Sequence, residues 1–279
     1  MCRQIHLYLK GGLGNQMFQA AFAIGLSKKN MLRLTVDNQT GFELDRKYRR
    51  KYELESFFEE DELTFSSWVT LKRLWNKYPK VKPFLRHFGL QVVDDNRTFD
   101  QQALINVVDG YFQNESLWNH AAHEIKLRLG RLMPGLGEAS IREYISVGLR
   151  LYEEADIPEN YCRSGRPFDW REFLDYIIKE NSNSSIRLFT YKTSPELKLY
   201  CIKNNIVINE GLNSEQSLWK TLEEFALGRR IYFNQSTFYW WGAWASESLL
   251  NRSSRDIFAY DDFLEFNTLP SRWNKIKFP

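Results

Sequence analysis

The run Ile5-His6-Leu7-Tyr8-Leu9, followed by Gly11-Gly12-Leu13-Gly14-Asn15-Gln16, constrains the fold more than any other part of the chain. An apolar, strand-like segment leads through glycines into a stretch, Gln16 to Lys29, where Met17, Ala20, Ala21, Ile24 and Leu26 recur at helical spacing. A strand, a glycine turn and a helix start together make a binding loop. Glycine permits positive φ and lets a ligand approach backbone that a Cβ would screen. The helix N-terminus beyond it presents N–H groups and the positive end of the helix dipole. Asn15 adds an amide at the mouth. Gly11, Gly12, Gly14, Asn15 and Gln16 are therefore expected to face a ligand. The spacing is neither G-x-G-x-x-G nor that of a P-loop, and a tight βα turn with no ligand is the alternative reading.

The remaining chain alternates in the same way. Strands are predicted at Leu32–Val36, Gln91–Val93 and Asn106–Val108, with a helix at Glu115–Leu129. Met133-Pro134-Gly135-Leu136-Gly137 breaks the pattern and reads as a linker. Beyond it, strands are predicted at Ile145–Leu149, Ile186–Thr190, Ile206–Ile208, Ile231–Phe233 and Ile257–Ala259. Helices are predicted at Trp170–Lys179, Pro195–Lys203, Glu215–Leu227 and Thr237–Leu250. The expectation is an α/β protein of two Rossmann-like, doubly wound domains, 1–134 and 135–279, facing a cleft. Ligands of open α/β sheets bind outside the carboxyl ends of the strands. The Gly11 turn and the loop after Phe233 both fall at such ends.

Composition narrows the function classes. A net charge of +3 over 279 residues is too small to argue for nucleic acid. Aromatic residues make up 15% of the chain, with nine Trp, which suits a sugar-binding surface and equally a rigid core. Cys2, Cys162 and Cys201 have no metal spacing, so no metal site is expected and a reducing compartment fits. No apolar run is long enough to span a membrane, and the opening Met-Cys-Arg-Gln-Ile-His does not read as a signal peptide. A cytoplasmic protein, peripheral on the membrane, is expected. Val69–Leu90 carries that last point: Lys72, Arg73, Lys77, Lys80, Lys82 and Arg86 interleave with Leu71, Leu74, Trp75, Tyr78, Phe84, Leu85 and Phe88. The pattern suits an anionic lipid surface. It also suits a solvated helical hairpin, broken near Pro79 and Pro83 and packed by its apolar face.

A second informative stretch is Asn234-Gln235-Ser236-Thr237-Phe238-Tyr239-Trp240-Trp241-Gly242-Ala243-Trp244. Ser236 is a favourable N-cap for the helix that follows. Gln235, Ser236, Thr237 and Phe238 at a helix N-terminus would suit a diphosphate. The three Trp residues read as core.

The glycine motif Gly11–Gln19, the segment Asp109-Gly110-Tyr111-Phe112-Gln113, and Ser236-Thr237-Phe238 with Trp240-Trp241-Gly242-Ala243-Trp244 resemble, in order and separation, glycosyltransferase family eleven, the inverting α-1,2-fucosyltransferases. The resemblance runs from about Leu7 to about Ala259. It implies a GT-B architecture and a nucleotide-sugar donor, GDP-fucose in the usual case, held mainly by the second domain. It also implies an oligosaccharide or lipid-linked glycan acceptor on the first, and no metal or cofactor beyond the donor. The family's His-x-Arg-Arg-x-Asp-Tyr signature corresponds here to Gly148-Leu149-Arg150-Leu151-Tyr152-Glu153-Glu154, which keeps only the first Arg, as Arg150, and has Glu153 for the Asp. In related fucosyltransferases that Arg meets the donor β-phosphate. Where the family has an acidic pair after the next strand, this chain has Tyr191-Lys192. The resemblance points to Arg150 as a catalytic candidate and to Tyr191 at the donor; for a general base, Asp37, Asp109, Glu153 and Asp169 stand near predicted loop or strand ends, of which Asp109 lies in a matching motif and Glu153 beside Arg150. Three readings stay open: transfer from GDP-fucose, transfer from another nucleotide sugar, and a sugar-binding member without turnover. A Rossmann oxidoreductase is disfavoured by the glycine spacing; Asp37, about 20 residues beyond Gly14, is the one feature in its favour.

Overall fold

The computed structural model describes residues 3–64, 68–95, 99–138, 140–152, 155–209, 218–265 and 267–277. The chain divides into two units, Met1–Ile125 and Lys126–Pro279. Each is an open sheet in which every strand pairing is parallel, so the α/β, doubly wound expectation holds for both.

In the N-terminal unit β1 (Gln4–Tyr8) runs into α1 (Leu13–Asn30), then β2 (Arg33–Asp37), α2 (Thr40–Glu43), β3 (Leu63–Thr64), α3 (Val69–Lys77), α4 (Val81–Leu85), β4 (Leu90–Val93) and β5 (Ile105–Val108). The sheet order is β3-β2-β1-β5-β4. Ile5, Leu7, Val36, Val107 and Val108 are fully buried, as central strands covered on both faces require. The glycine turn is tighter than its apolar spacing indicated. Gly11 sits at φ +79 and Gly12 caps the helix, which therefore begins at Leu13 with Gly14 inside its first turn.

Helix α5 (Ala122–Leu132) contains the division between the units. The C-terminal unit continues with α6 (Gly135–Glu138), β6 (Arg142–Leu149), α7 (Trp170–Glu180), β7 (Ser185–Thr190), α8 (Pro195–Lys203), β8 (Ile206–Asn209), α9 (Leu218–Ala226), β9 (Gly228–Phe233), α10 (Thr237–Leu249), β10 (Ile257–Tyr260) and β11 (Asn274–Ile276). Its order is β11-β10-β9-β6-β7-β8. Counted from its own first strand, that is the 3-2-1-4-5-6 order of dinucleotide-binding sheets. Local chemistry explains the helix starts. The Asp169 carboxylate accepts from the Arg171 and Glu172 amides to open α7, and Ser194 accepts from Leu197 with Pro195 at the first position of α8. Phe173, Leu174 and Ile177 then bury one face of α7 against Ile145, Val147 and Leu188. Trp240, Trp241 and Trp244 are core, at 0, 0 and 2% exposure.

Val69–Leu90 forms the helical hairpin, α3 and α4, with the break at Tyr78–Lys80. Trp75 and Leu85 pack it onto Tyr8, Val92 and Val107. Lys72 points inward and is buried, so it is no part of a lipid-facing surface. Lys82 pairs with Asp94 and Arg86 with Asp100.

Candidate functional site

In both sheets the strand order reverses beside the first strand, and the sequence motifs meet at those two points. A reversal of this kind leaves a crevice at the carboxyl ends, because the flanking connections depart to opposite faces.

In the N-terminal unit the crevice lies between β1 and β5. The Asn15 Oδ1 accepts from Gln113 Nε2 at 3.0 Å, which joins the glycine turn to the Asp109–Gln113 segment. Gln16 is fully buried. Its Nε2 donates to the carbonyls of Gly11 (2.9 Å) and Lys51 (2.8 Å), and its Oε1 accepts from the Glu53 amide at 3.0 Å. It braces the turn and offers no ligand surface. Gln19 pairs in both directions with the Lys10 backbone at 3.0 Å.

Asp109 is buried between two cations. Lys10 Nζ donates to Oδ1 at 2.9 Å, and Lys72 Nζ donates to Oδ2. Burial would raise the Asp109 carboxyl, but the two ammonium groups outweigh it and hold it below the usual carboxylate range. A carboxylate so held is a poor proton acceptor. Burial also pushes Lys72 down to about 8, against the pull of Asp109. Asp37 and Asp169 are likewise engaged by backbone. Asp37 is fully buried and accepts from the Gln39 and Thr40 amides at 2.9 and 2.8 Å. Glu153 lies outside the described residues.

In the C-terminal unit the crevice lies between β6 and β9, and its geometry is built around Arg150. The Asn234 side chain grips the Arg150 backbone from both sides: Oδ1 accepts from Arg150 N at 2.8 Å and Nδ2 donates to Arg150 O at 2.5 Å. This amide continues the β6–β9 pairing one step past the last strand residues, Leu149 and Phe233. The guanidinium lies over the Tyr152 ring (5.1 Å to the centroid) and the Tyr191 ring (5.9 Å). Tyr152, at φ +56, stacks on Tyr161 at 4.6 Å and donates its hydroxyl to the Gln235 carbonyl. Arg150 is thus fixed at its backbone and seated on aromatic faces. A planar, permanently charged donor so placed suits a phosphate.

The α10 start is arranged differently from expectation. Ser236 occupies the N-cap position, yet its hydroxyl makes no capping hydrogen bond. Gln235 and Ser236 are 2% and 4% exposed, and Gln235 Nε2 donates to Cys162 Sγ at 2.8 Å. Their side chains face inward; Thr237 and Phe238 are partly exposed. The first-turn N–H groups of α10 still provide a helix N-terminus one strand away from Arg150. Tyr191 is 41% exposed at the end of β7.

Gly148 does not open space as its small size indicates. A Cβ there would stand 2.4 Å from the Tyr239 ring. The Tyr239 hydroxyl donates to the Phe189 carbonyl at 2.8 Å, so this ring, supplied by α10, fills the place a side chain at 148 would take. The sequence reading missed Tyr239, Asn234, Tyr152, Lys10 and Lys72. Asn234 was detectable as the polar residue directly after a strand, and Lys10 as the residue entering the glycine turn. Among the described residues no group of three His, Cys, Asp or Glu is placed to hold a metal ion.

No family model matches the chain, and no curated protein sequence matches it. Among solved structures it is similar to a mutant of FUT1 from Arabidopsis thaliana in complex with GDP: 9% identity, 92% of this chain and 70% of that one, TM-score 0.49. It is similar to NodZ α-1,6-fucosyltransferase soaked with GDP-fucose at 12% identity, 93% and 95% coverage and TM-score 0.48. It is also similar to a glycosyl transferase of family 9 from Veillonella parvula at 11% identity, 99% and 86% coverage and TM-score 0.42.

Proposed function

We propose that this chain is a GT-B glycosyltransferase whose C-terminal unit binds a nucleotide-diphosphate sugar, GDP-fucose first among the candidates, for inverting transfer to a hydroxyl of a glycan or lipid-linked glycan. The observation that carries the reading is Arg150, clamped by Asn234 at the reversal point of a 3-2-1-4-5-6 sheet beside the start of α10. The acceptor hydroxyl attacks the anomeric carbon opposite the diphosphate, and the C–O bond to the leaving phosphate breaks as the new glycosidic bond forms. Charge grows on the leaving diphosphate, where a fixed guanidinium and helix N–H groups stabilise it without a metal. Proton loss from the acceptor can trail bond formation, so no strong base is required at Asp109.

A second donor is favoured by Tyr239 filling the space at Gly148 and by Tyr191-Lys192 after β7, which change the surroundings expected for guanine. The oxidoreductase reading loses its one support, since the Asp37 carboxylate is buried and held by backbone amides. Calorimetry with GDP and UDP tests the reading. GDP is expected to bind at least about tenfold tighter, a difference of about 1.4 kcal/mol. Tighter UDP binding moves the donor elsewhere, and a folded protein that binds neither is a member without turnover.

A further inference from the structure

The N-terminal unit has a second concavity, at the end of its sheet opposite the glycine turn. A groove of about 800 Å3 crosses the amino ends of its strands, lined mainly by Trp68, Leu71, Phe88, Leu90, Leu104 and Ile105, with Arg33 as its charged residue. Its volume falls within the roughly 300–1,000 Å3 of small-ligand sites. Phe88 links the groove to the outer face of the α3–α4 hairpin. Phe88 is 65% exposed and meets Phe84, 58% exposed, edge to face at 5.5 Å; Tyr78 and Leu74 are 50% and 43% exposed. Arg73, Lys77 and Lys80 stand exposed among them, and no Asp or Glu occurs between Val69 and Leu90.

So many exposed aromatic and aliphatic side chains are costly in water, and the cations among them have no acids on their own segment to meet. The chemistry that satisfies both is an anionic bilayer: rings at headgroup depth, ammonium and guanidinium groups on the lipid phosphates. An apolar groove opening beside those rings accommodates a hydrocarbon chain. We infer that the outer face of the hairpin docks on an anionic membrane and that the groove takes one lipid chain. Neither Arg150 nor the nucleotide takes part, so this inference and the transfer reading stand or fall separately.

Co-sedimentation of the full chain with vesicles of phosphatidylglycerol and phosphatidylcholine, against phosphatidylcholine alone, reads the surface. Binding is expected only to the anionic vesicles and to weaken with salt. The Arg73→Gln/Lys77→Gln/Lys80→Gln and Phe84→Ser/Phe88→Ser variants should each bind at least about tenfold less, with circular dichroism unchanged. Equal binding to neutral vesicles, or none to either, overturns the inference. Lipid brominated along its chains reads the groove through Trp68. Fluorescence quenching should fall in Trp68→Phe and in Leu104→Phe, which narrows the groove without adding a second indole, when equal amounts of protein are bound. Quenching unaltered in both variants overturns the groove assignment. A dimer in sedimentation velocity that Phe84→Ser/Phe88→Ser dissolves, with no vesicle binding, gives the face to a second copy of the chain instead.

Discussion

The two strand-order reversals share a topology and differ in what they do with charge. Beside β1, two ammonium groups close on one buried carboxylate, and the amides of Gln16 and Gln19 are engaged by backbone. Beside β6, the Arg150 backbone is held by Asn234 and its guanidinium rests on two rings. The lesson is that a conspicuous glycine-rich turn can spend its polar side chains on its own backbone. The N-terminal crevice commits its polar side chains to internal contacts, while the C-terminal one seats its guanidinium on aromatic faces.

The contrast can be broken at five points. Asp109→Ala leaves two lysines without their counter-ion and is expected to cost about 3–5 kcal/mol of stability; denaturant unfolding measures it. A variant of native stability that has lost transfer would make Asp109 a catalytic group and erase the difference between the crevices. Arg150→Ala is expected to keep its unfolding curve and lose transfer by about a hundredfold to a thousandfold, the roughly 3–4 kcal/mol of a missing transition-state donor. Steady-state kinetics with GDP-fucose checks this, and native kcat would remove Arg150 from the chemistry.

Acid should strike the N-terminal unit first. Burial lowers His6 to about 4 from an ordinary 6.5, despite the opposing field of Asp37. As pH falls below 6.5 the unfolded chain takes the proton and the folded chain does not, so stability drains between pH 6.5 and 4. The full loss is on the order of 3 kcal/mol. In the C-terminal unit the displaced groups among the described residues are tyrosines, cysteines and Arg252, all titrating above neutrality. Melting temperature followed against pH should fall less steeply in His6→Gln; an unchanged slope places the sensitivity elsewhere.

Two smaller effects sharpen the account of the C-terminal crevice. Asn234→Ala removes both hydrogen bonds to the Arg150 backbone and is expected to lower kcat about tenfold with a stability loss of about 1–3 kcal/mol. An unaltered kcat would show that Arg150 holds its position unaided. Ser236→Ala should shift stability by a few tenths of a kcal/mol, below the about 1 kcal/mol of a working cap, because no capping bond exists to lose. A full cap-sized drop in thermal unfolding would contradict that geometry.

The sheet strands and most helices were legible because a parallel sheet buries its strands on both faces and leaves apolar runs such as Ile231–Phe233, or buried stretches interrupted only by small residues such as Ile145–Leu149. β3 and β11 escaped notice because edge strands of two and three residues leave no periodicity to read. The helix after the Asp109 motif starts late, at Ala122, because two short 3-10 turns, Glu115–Leu117 and Asn119–Ala121, come first. Arg150 and the loop after Phe233 were visible as motifs; their union through Asn234 was not, since 84 residues separate the partners. Lys72 illustrates the same limit. Its neighbours read as a basic surface, and only the fold brings it to a carboxylate 37 residues away.

The contact between Gly148 and Tyr239 couples what the two positions can hold. Placing a side chain at 148 while Tyr239 remains drives an atom into a ring, and trimming Tyr239 first leaves a cavity and removes the hydrogen bond to the Phe189 carbonyl. Each single step is a loss, and only the pair of steps reaches the other arrangement. A mutational library that varies 148 alone will therefore report glycine as obligatory, whereas one that varies 148 and 239 together should recover second solutions. Any path from Gly148 to a larger residue has to cross that valley or go round it by way of a small residue at 239.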